Sequence, residues 1–327
     1  MRKLVCTALA ATLAALPLAS LTGCNNSSSS DNEASGETPK VVIGTLATED
    51  ILPMWVAEDE NLFSEAGIEG EVTVFQSATE LIAAVSAGEV DYAMTDPMVT
   101  ASIYASGTDV EIEWVTLGAD ASQGRFGIMT ADSSITSLTD LAGVEVGVGS
   151  NTILEYVLDT LMERAGVPDD QIVTSEMQKL PVRYEAMASG QVKAAALPAS
   201  LLALGEANGC IVVADDTQGE NISQSVMIAR SDYLASDAGK TVKEAIEQVW
   251  NKATSEINAS PENYRSLLVE KANLSDAIAQ TYPISTYPTC ALPEQTQVDN
   301  ILTWMKKKGY LADGITYDAS SGTFSGR

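Results

Sequence analysis

The chain has 327 residues, 45% of them hydrophobic and 19% charged, which is ample for one large globular unit or two lobes with real cores and is neither disordered nor fibrous in composition. A formal net charge of −27 is repelled by phosphate backbones and anionic lipid head groups, so nucleic acid is excluded as an expected partner. The sequence contains no histidine, which removes Ser-His and Cys-His nucleophile pairs, the usual general base near neutral pH and every His-bearing metal site; no enzyme activity, cofactor or metal is expected.

Residues 1–23 have the pattern of an export signal: Arg2 and Lys3 give a positive start, and Leu4 to Ala19 form an apolar stretch interrupted by Pro17 and too short for a comfortable membrane span. Leu21, Thr22, Gly23 and Cys24 resemble the bacterial lipobox, in which the Cys thiol is acylated and the chain is cut just before it; a plain signal peptide or an uncleaved anchor is the alternative. Residues 24–39 are then the lipidated cysteine and a polar tether around Ser27 to Ser30, about 20 Å long on average for a flexible chain. The body is expected outside the cytoplasm, held to a bacterial membrane by the lipid on Cys24 alone, because cleavage removes Arg2 and Lys3 and leaves the chain more acidic. Of four cysteines, Cys6 leaves with the signal, and Cys210 and Cys290 remain as either a disulfide pair or two buried free thiols.

From Lys40 onward, short apolar runs alternate with helix-period stretches, the pattern of an α/β fold with a largely parallel sheet. Val41 to Leu46 is predicted as a strand, Pro53 to Phe63 as a helix, Val72 to Phe75 as a strand, Glu80 to Ser86 as a helix and Tyr92 to Met94 as a strand. Further on, Val144 to Val148 is a strand, Ile153 to Arg164 a helix ended by Gly166 and Pro168, Tyr184 to Ala188 a helix, and Ala194 to Leu197 a strand. The two stretches are related at an offset of 102 residues: Ala84, Gly88, Val90 and Ala93 recur as Ala186, Gly190, Val192 and Ala195. The same offset maps Thr48, Glu49 and Asp50 onto Ser150, Asn151 and Thr152, and Gln76 and Ser77 onto Gln178 and Lys179. This predicts two lobes of similar topology, 40–124 and 125–218, with a tandem pair of separate domains as the alternative. Residues 219–327 return to the first lobe with a strand-like Ser225 to Ala229 and two helices, whose stripes Val242, Ile246, Val249, Trp250, Ala253, Ile257 and Val298, Ile301, Leu302, Met305 read as core.

Ala57, Asn61, Leu62, Phe63 and Gly67, then Gln76-Ser77, then Ala87 to Ala93, then Leu138 to Gly143, and finally Tyr287-Pro288 and Trp304 form an ordered set. That set resembles the binding-protein family for nitrate, sulfonates, taurine and thiamine pyrimidine precursors. The resemblance implies a two-lobed type II periplasmic-binding fold with a cleft and two hinge crossings. It also implies a monomer that takes up a sulfonate-like, taurine-like or pyrimidine-like solute and delivers it to an ABC permease and its ATPase. Relatives that synthesise the thiamine pyrimidine consume an active-site histidine and carry a cysteine-rich motif, and this chain has neither. An enzyme on the same fold and a surface lipoprotein that docks another protein are the competing readings.

Ligands of open α/β sheets sit beyond the carboxyl ends of the strands, which selects the candidates. In the first lobe these are Thr48, Glu49 and Asp50, then Gln76, Ser77 and Thr79, then Thr95 and Asp96, all of which could equally cap the helices that follow. In the second lobe they are Ser150, Asn151 and Thr152, where Thr152 with Glu155 fits a capping box, together with Lys179 and, at the presumed crossing, Arg125. Glu49, Asp50 and Asp96 disfavour a bare anion, whereas Arg125, Lys179 and a helix N-terminus favour an acidic group, so a zwitterion or an amine-bearing polar molecule is the expected solute. Trp55, Tyr156 and Tyr184 either stack on a flat ligand or belong to the core.

Overall fold

The structure is a computed structural model that describes residues 38–218 and 222–327, so the export signal, Cys24 and the tether as far as residue 37 lie outside the described residues. Strands β1 (Lys40–Leu46), β2 (Glu69–Phe75), β3 (Tyr92–Thr95) and β4 (Val110–Leu117) begin a first sheet. The chain crosses to a second sheet as β5 (Phe126–Thr130), β6 (Glu145–Val148), β7 (Val173–Glu176), β8 (Ala194–Pro198) and β9 (Ile211–Asp215). It then returns to the first as β10 (Ser225–Arg230), β11 (Thr316–Asp318) and β12 (Thr323–Ser325). The strand orders are β11-β12-β4-β10-β3-β1-β2 and β7-β6-β8-β5-β9.

The internal repeat is visible in these orders. β2-β1-β3 and β7-β6-β8 are both parallel triplets centred on the first strand of each repeat. Each triplet is extended by a strand that has just crossed from the other sheet, β10 beside β3 and β5 beside β8, and both of these run antiparallel to their neighbours. The expectation of a largely parallel sheet is therefore corrected to two mixed sheets. A strand entering through a crossing approaches its sheet from the opposite end to a strand delivered by a helical crossover. The two crossings lie side by side and are tied together: Phe126 N donates to Asp216 Oδ1 at 2.8 Å, and Gln224 Nε2 donates to Gly118 O at 3.1 Å.

The helix Ile153–Arg164 has its predicted limits, but the helix predicted over Pro53 to Phe63 divides into Leu52–Asp59 and Leu62–Glu65. Asn61 sits in the left-handed region at φ 61° and turns the chain between them. The helix expected over Tyr184 to Ala188 begins earlier, at Leu180, with Pro181 in its first turn.

Val242, Ile246, Val249, Trp250, Ala253 and Ile257 of the helix Asp237–Ala259 are all buried, in one cluster with Val41, Ile43, Trp55 and Trp114 of the first lobe. A second cluster joins the helix Pro97–Ala105, which follows β3, and the helix Ile153–Arg164, which follows β6, to the C-terminal helix Gln295–Lys308. There Tyr156 meets Trp304 edge-on with centroids 5.4 Å apart, Trp304 Nε1 donates to Asp159 Oδ2 at 2.9 Å, and Lys308 pairs with both Glu155 and Asp159 at 2.9 Å. Cys210 and Cys290 are free thiols, which corrects the disulfide reading. Cys210 packs on the Met129 and Leu202 cluster of the second sheet, whereas Cys290 packs on the Trp250 cluster of the first.

Candidate functional site

A cavity of about 650 Å³, its open mouth included, lies between the two sheets at the carboxyl ends of their parallel strands. The first lobe lines it with Thr48 and Asp50 after β1, Leu81 from the helix Ala78–Ala87, and Thr95 and Asp96 after β3. The second lobe contributes Thr152 and Ile153 after β6, Gln178, Leu180 and Arg183 after β7, and Pro198 at the end of β8; Phe126 and Ser225 come from the crossing strands. Each lobe thus presents the same structural positions, since Asp50, Leu81 and Asp96 plus the 102-residue offset give Thr152, Arg183 and Pro198. The repeat built a symmetric cavity and the side chains broke its charge symmetry: acids on the first lobe, a guanidinium on the second.

Glu49 and Asp50 share a single 3-10 turn, Glu49–Ile51, wedged between β1 and the helix Leu52–Asp59, and both are buried. Asp50 Oδ2 accepts from Ser225 Oγ, and burial raises its carboxyl above the usual range. Glu49 turns the other way, toward a neighbouring groove that it shares with Tyr282. Its Oε2 has no partner, and burial, reinforced by the charge of Asp50, pushes its carboxyl up to about 7.

Asp96 is placed by its role as N-cap of the helix Pro97–Ala105, Oδ1 accepting from Val99 N at 2.8 Å. Its other oxygen, Oδ2, crosses the cleft and accepts from Ile153 N at 3.2 Å, at the start of the second-lobe helix. Burial raises this carboxyl to about 6 against the pull of the hydrogen bonds from Val99, Ile153 and Met98. Among the described residues none of Glu49, Asp50 and Asp96 forms an ion pair.

The capping box expected of Thr152 and Glu155 does not form. The Thr152 hydroxyl donates to Gly149 O at 2.7 Å, while Glu155 Oε2 accepts from Asn151 N at 2.6 Å. Asn151 is left-handed at φ 57°, a backbone turn that carries its amide across the cleft to Ser102 Oγ at 2.7 Å. The Ile153 N–H is thereby left for the first lobe's Asp96.

Arg183 was missed by the sequence reading, which took the cations of the second lobe to be Arg125 and Lys179. It is 1% exposed, and its guanidinium donates to three carbonyls: Met177 O at 2.9 Å, Ala196 O at 2.9 Å and Gln178 O at 3.5 Å. Burial pulls it down to about 10, with the charge of Glu176 opposing. The available signal was the repeat itself, which sets Arg183 opposite the buried Leu81.

Thr48, Asp50, Thr95, Asp96 and Thr152 line the cavity; the other predicted residues do not. Ser77 caps the helix Ala78–Ala87 by accepting from Glu80 N at 3.3 Å, Gln76 N donates to Glu80 Oε2 at 3.1 Å, and Thr79 is exposed. Ser150 is tied to Glu176. Arg125 is spent within its own lobe on Asp215 at 2.8 Å and Glu206 at 2.9 Å. Lys179 reaches over the cleft to Glu80 at 3.2 Å, on the rim where both are exposed. Trp55, Tyr156 and Tyr184 belong to the core, and the aromatic ring that lines the cavity is that of Phe126 at the first crossing.

The family model described as NMT1/THI5 like matches residues 48–263. No curated protein matches the sequence. The alkanesulfonate-binding protein SsuA from Xanthomonas axonopodis pv. citri, bound to MOPS, superposes with a TM-score of 0.69 at 16% identity, over 85% of this chain and 96% of that one. The aliphatic sulphonate binding protein SsuA from Escherichia coli gives 0.70 at 15% identity, over 85% and 95%. The nitrate-binding protein NrtA from Synechocystis PCC 6803 gives 0.68 at 12% identity, over 85% and 83%. The fold is that of the periplasmic binding proteins.

Proposed function

The chain belongs to the NMT1/THI5-like family, and from that premise we propose that it is the extracytoplasmic solute-binding subunit of an ABC importer. Residues 40–124 with 219–327 form one lobe and 125–218 the other; the lobes close over a small polar solute, which is handed unchanged to a permease driven by its ATPase. The lipobox-like Leu21 to Cys24 supports anchoring through a lipid on Cys24.

One observation carries this reading: the cavity is built from both lobes and is bridged by them. Asp96 to Ile153, Asn151 to Ser102 and Lys179 to Glu80 each join a first-lobe residue to a second-lobe residue around it. A site assembled only when two lobes meet binds by closure. On this reading the lining, including the Ser225 hydroxyl that donates to Asp50, serves recognition.

Thermal unfolding of the full chain should be followed against taurine, alkanesulfonates, nitrate, the thiamine pyrimidine precursor and amino acids. A ligand at about 1,000 times its dissociation constant adds roughly 4 kcal/mol to the native state and raises the midpoint by several degrees. A shift by one chemical class, with the compound recovered intact, is the expected outcome. A compound returned chemically altered would transfer the protein to the enzymes.

A further inference from the structure

The helix Ile153–Arg164 opens into the cleft, and the N-terminus of a helix is a place where an anionic group of a ligand would be held. Here that place is filled from within: Asp96 Oδ2 accepts from Ile153 N at 3.2 Å while Oδ1 stays fixed as the cap of its own helix by Val99 N at 2.8 Å. The carboxylate therefore cannot swing aside without uncapping the helix Pro97–Ala105. Beside it Asp50 is 5% exposed, with a serine hydroxyl on one oxygen and no cation. Two carboxylates and one guanidinium line the cavity, and the guanidinium of Arg183 is already committed to three carbonyls. Buried carboxylates without a cation are costly, and a monocation entering the cavity would bring its lining to neutrality.

We propose that Asp96 acts as a built-in anion of the cleft, excluding solutes whose buried end is anionic, and that Asp50 holds a cationic end such as a primary ammonium. This deepens, and rests on, the solute-binding reading above. It would separate this chain from a binder of anions, because the Ile153 N–H that an anionic group could take is already held by Asp96. The rest of the solute lies against Leu81, Phe126 and Leu180, so an apolar body with one charged end suits the lining.

The test uses two probes that differ only in the charged end, pentylamine and pentanesulfonate, titrated calorimetrically into the full chain at about pH 8, where a free ammonium is charged and Asp96, raised to about 6, is ionised. Wild type is expected to bind pentylamine and to ignore pentanesulfonate. Asp50→Asn should weaken pentylamine by roughly tenfold to a hundredfold, the worth of a hydrogen bond to a buried charge. Asp96→Ser keeps a cap for Val99 N but frees Ile153 N, and should gain pentanesulfonate binding. Asp96→Asn, which also retains a cap and removes the charge, makes the same test should the serine variant fold poorly. Pentanesulfonate bound by wild type as tightly as pentylamine, or an anion response unchanged in both folded Asp96 variants, overturns the proposal. Wild type indifferent to both probes overturns its cationic half. The solute-binding reading survives each of these results and fails separately, on the wider panel of solutes.

Discussion

At Glu49 the fold keeps an acid almost fully buried, with one carboxylate oxygen unpartnered and a tyrosine hydroxyl, that of Tyr287, on its carbonyl at 2.7 Å. A carboxyl whose folded-state value lies above its unfolded value adds stability below the unfolded value and loses it as pH rises through the folded one. Glu49 at about 7, Asp96 at about 6 and Asp216 at about 6 all act in this direction, and burial is the leading cause for each. Asp140 and Asp318, whose carboxyls are held low, are exposed, and their contribution is lost only below the ordinary carboxylate range. The unliganded protein should therefore melt a few degrees higher near pH 5 than near pH 8. Glu49→Gln should raise the midpoint at the alkaline end and flatten the profile; a variant that keeps the wild-type slope would remove Glu49 from the account. Asp50 and Asp96 were legible in the sequence because they stand directly after strands. Arg183 was not, because an isolated arginine in a helical stretch is ordinarily solvated, and only its partnership with Leu81 across the repeat marks it as inward-facing.

The elements divide by how local their signals are. The helix Ile153–Arg164 was readable to the residue because Thr152 opens it and Gly166 with Pro168 closes it, all within the reach of its own backbone. The direction of β5 and β10 was not readable, since it is set by which sheet the chain has just left, and no periodicity within five or six residues encodes that. Between those strands the crossings leave little room for a side chain. Gly118 has φ +86°, and a Cβ there would stand 2.6 Å from Ser223 O on the other crossing. Gly118→Ala is expected to cost about 1 to 3 kcal/mol in urea unfolding, combining left-handed strain with separation of the two crossings. Gly107 is also left-handed but has nothing within 4 Å of its Cβ, so Gly107→Ala should show only the backbone part and serves as the control.

On the scale of the whole molecule, the two lobes are joined by more than their crossings. The C-terminal helix Gln295–Lys308 follows the return to the first lobe, yet it sets Lys308 against Glu155 and Asp159 of the second, with Tyr310 also donating to Glu155 at 2.9 Å. The Glu155 side chain is 2% exposed, so Lys308→Ala leaves a buried carboxylate without its cation, held only by the Tyr310 phenol and the Asn151 N–H, and should destabilise the protein by about 1 to 3 kcal/mol in urea unfolding. Lys308→Arg should restore most of it. The stripe Val298, Ile301, Leu302 and Met305 was correctly read as core and placed with the first lobe; that it also packs on the second-lobe helix Ile153–Arg164 was not legible, because an apolar stripe does not say how many partners it covers.

On the proposed reading, that helix also decides how the cleft opens. With one flank of the cleft stitched through Trp304, Lys308 and the shared apolar cluster, separation is easiest on the opposite flank, where residues 270–275 and Ile278 face Leu180, Ser200 and Leu204 of the second lobe. The protein then behaves as a bag with a single drawstring. On the proposed reading, solute enters and leaves past the 270–278 segment with its buried end leading, and the time it stays is set at that rim.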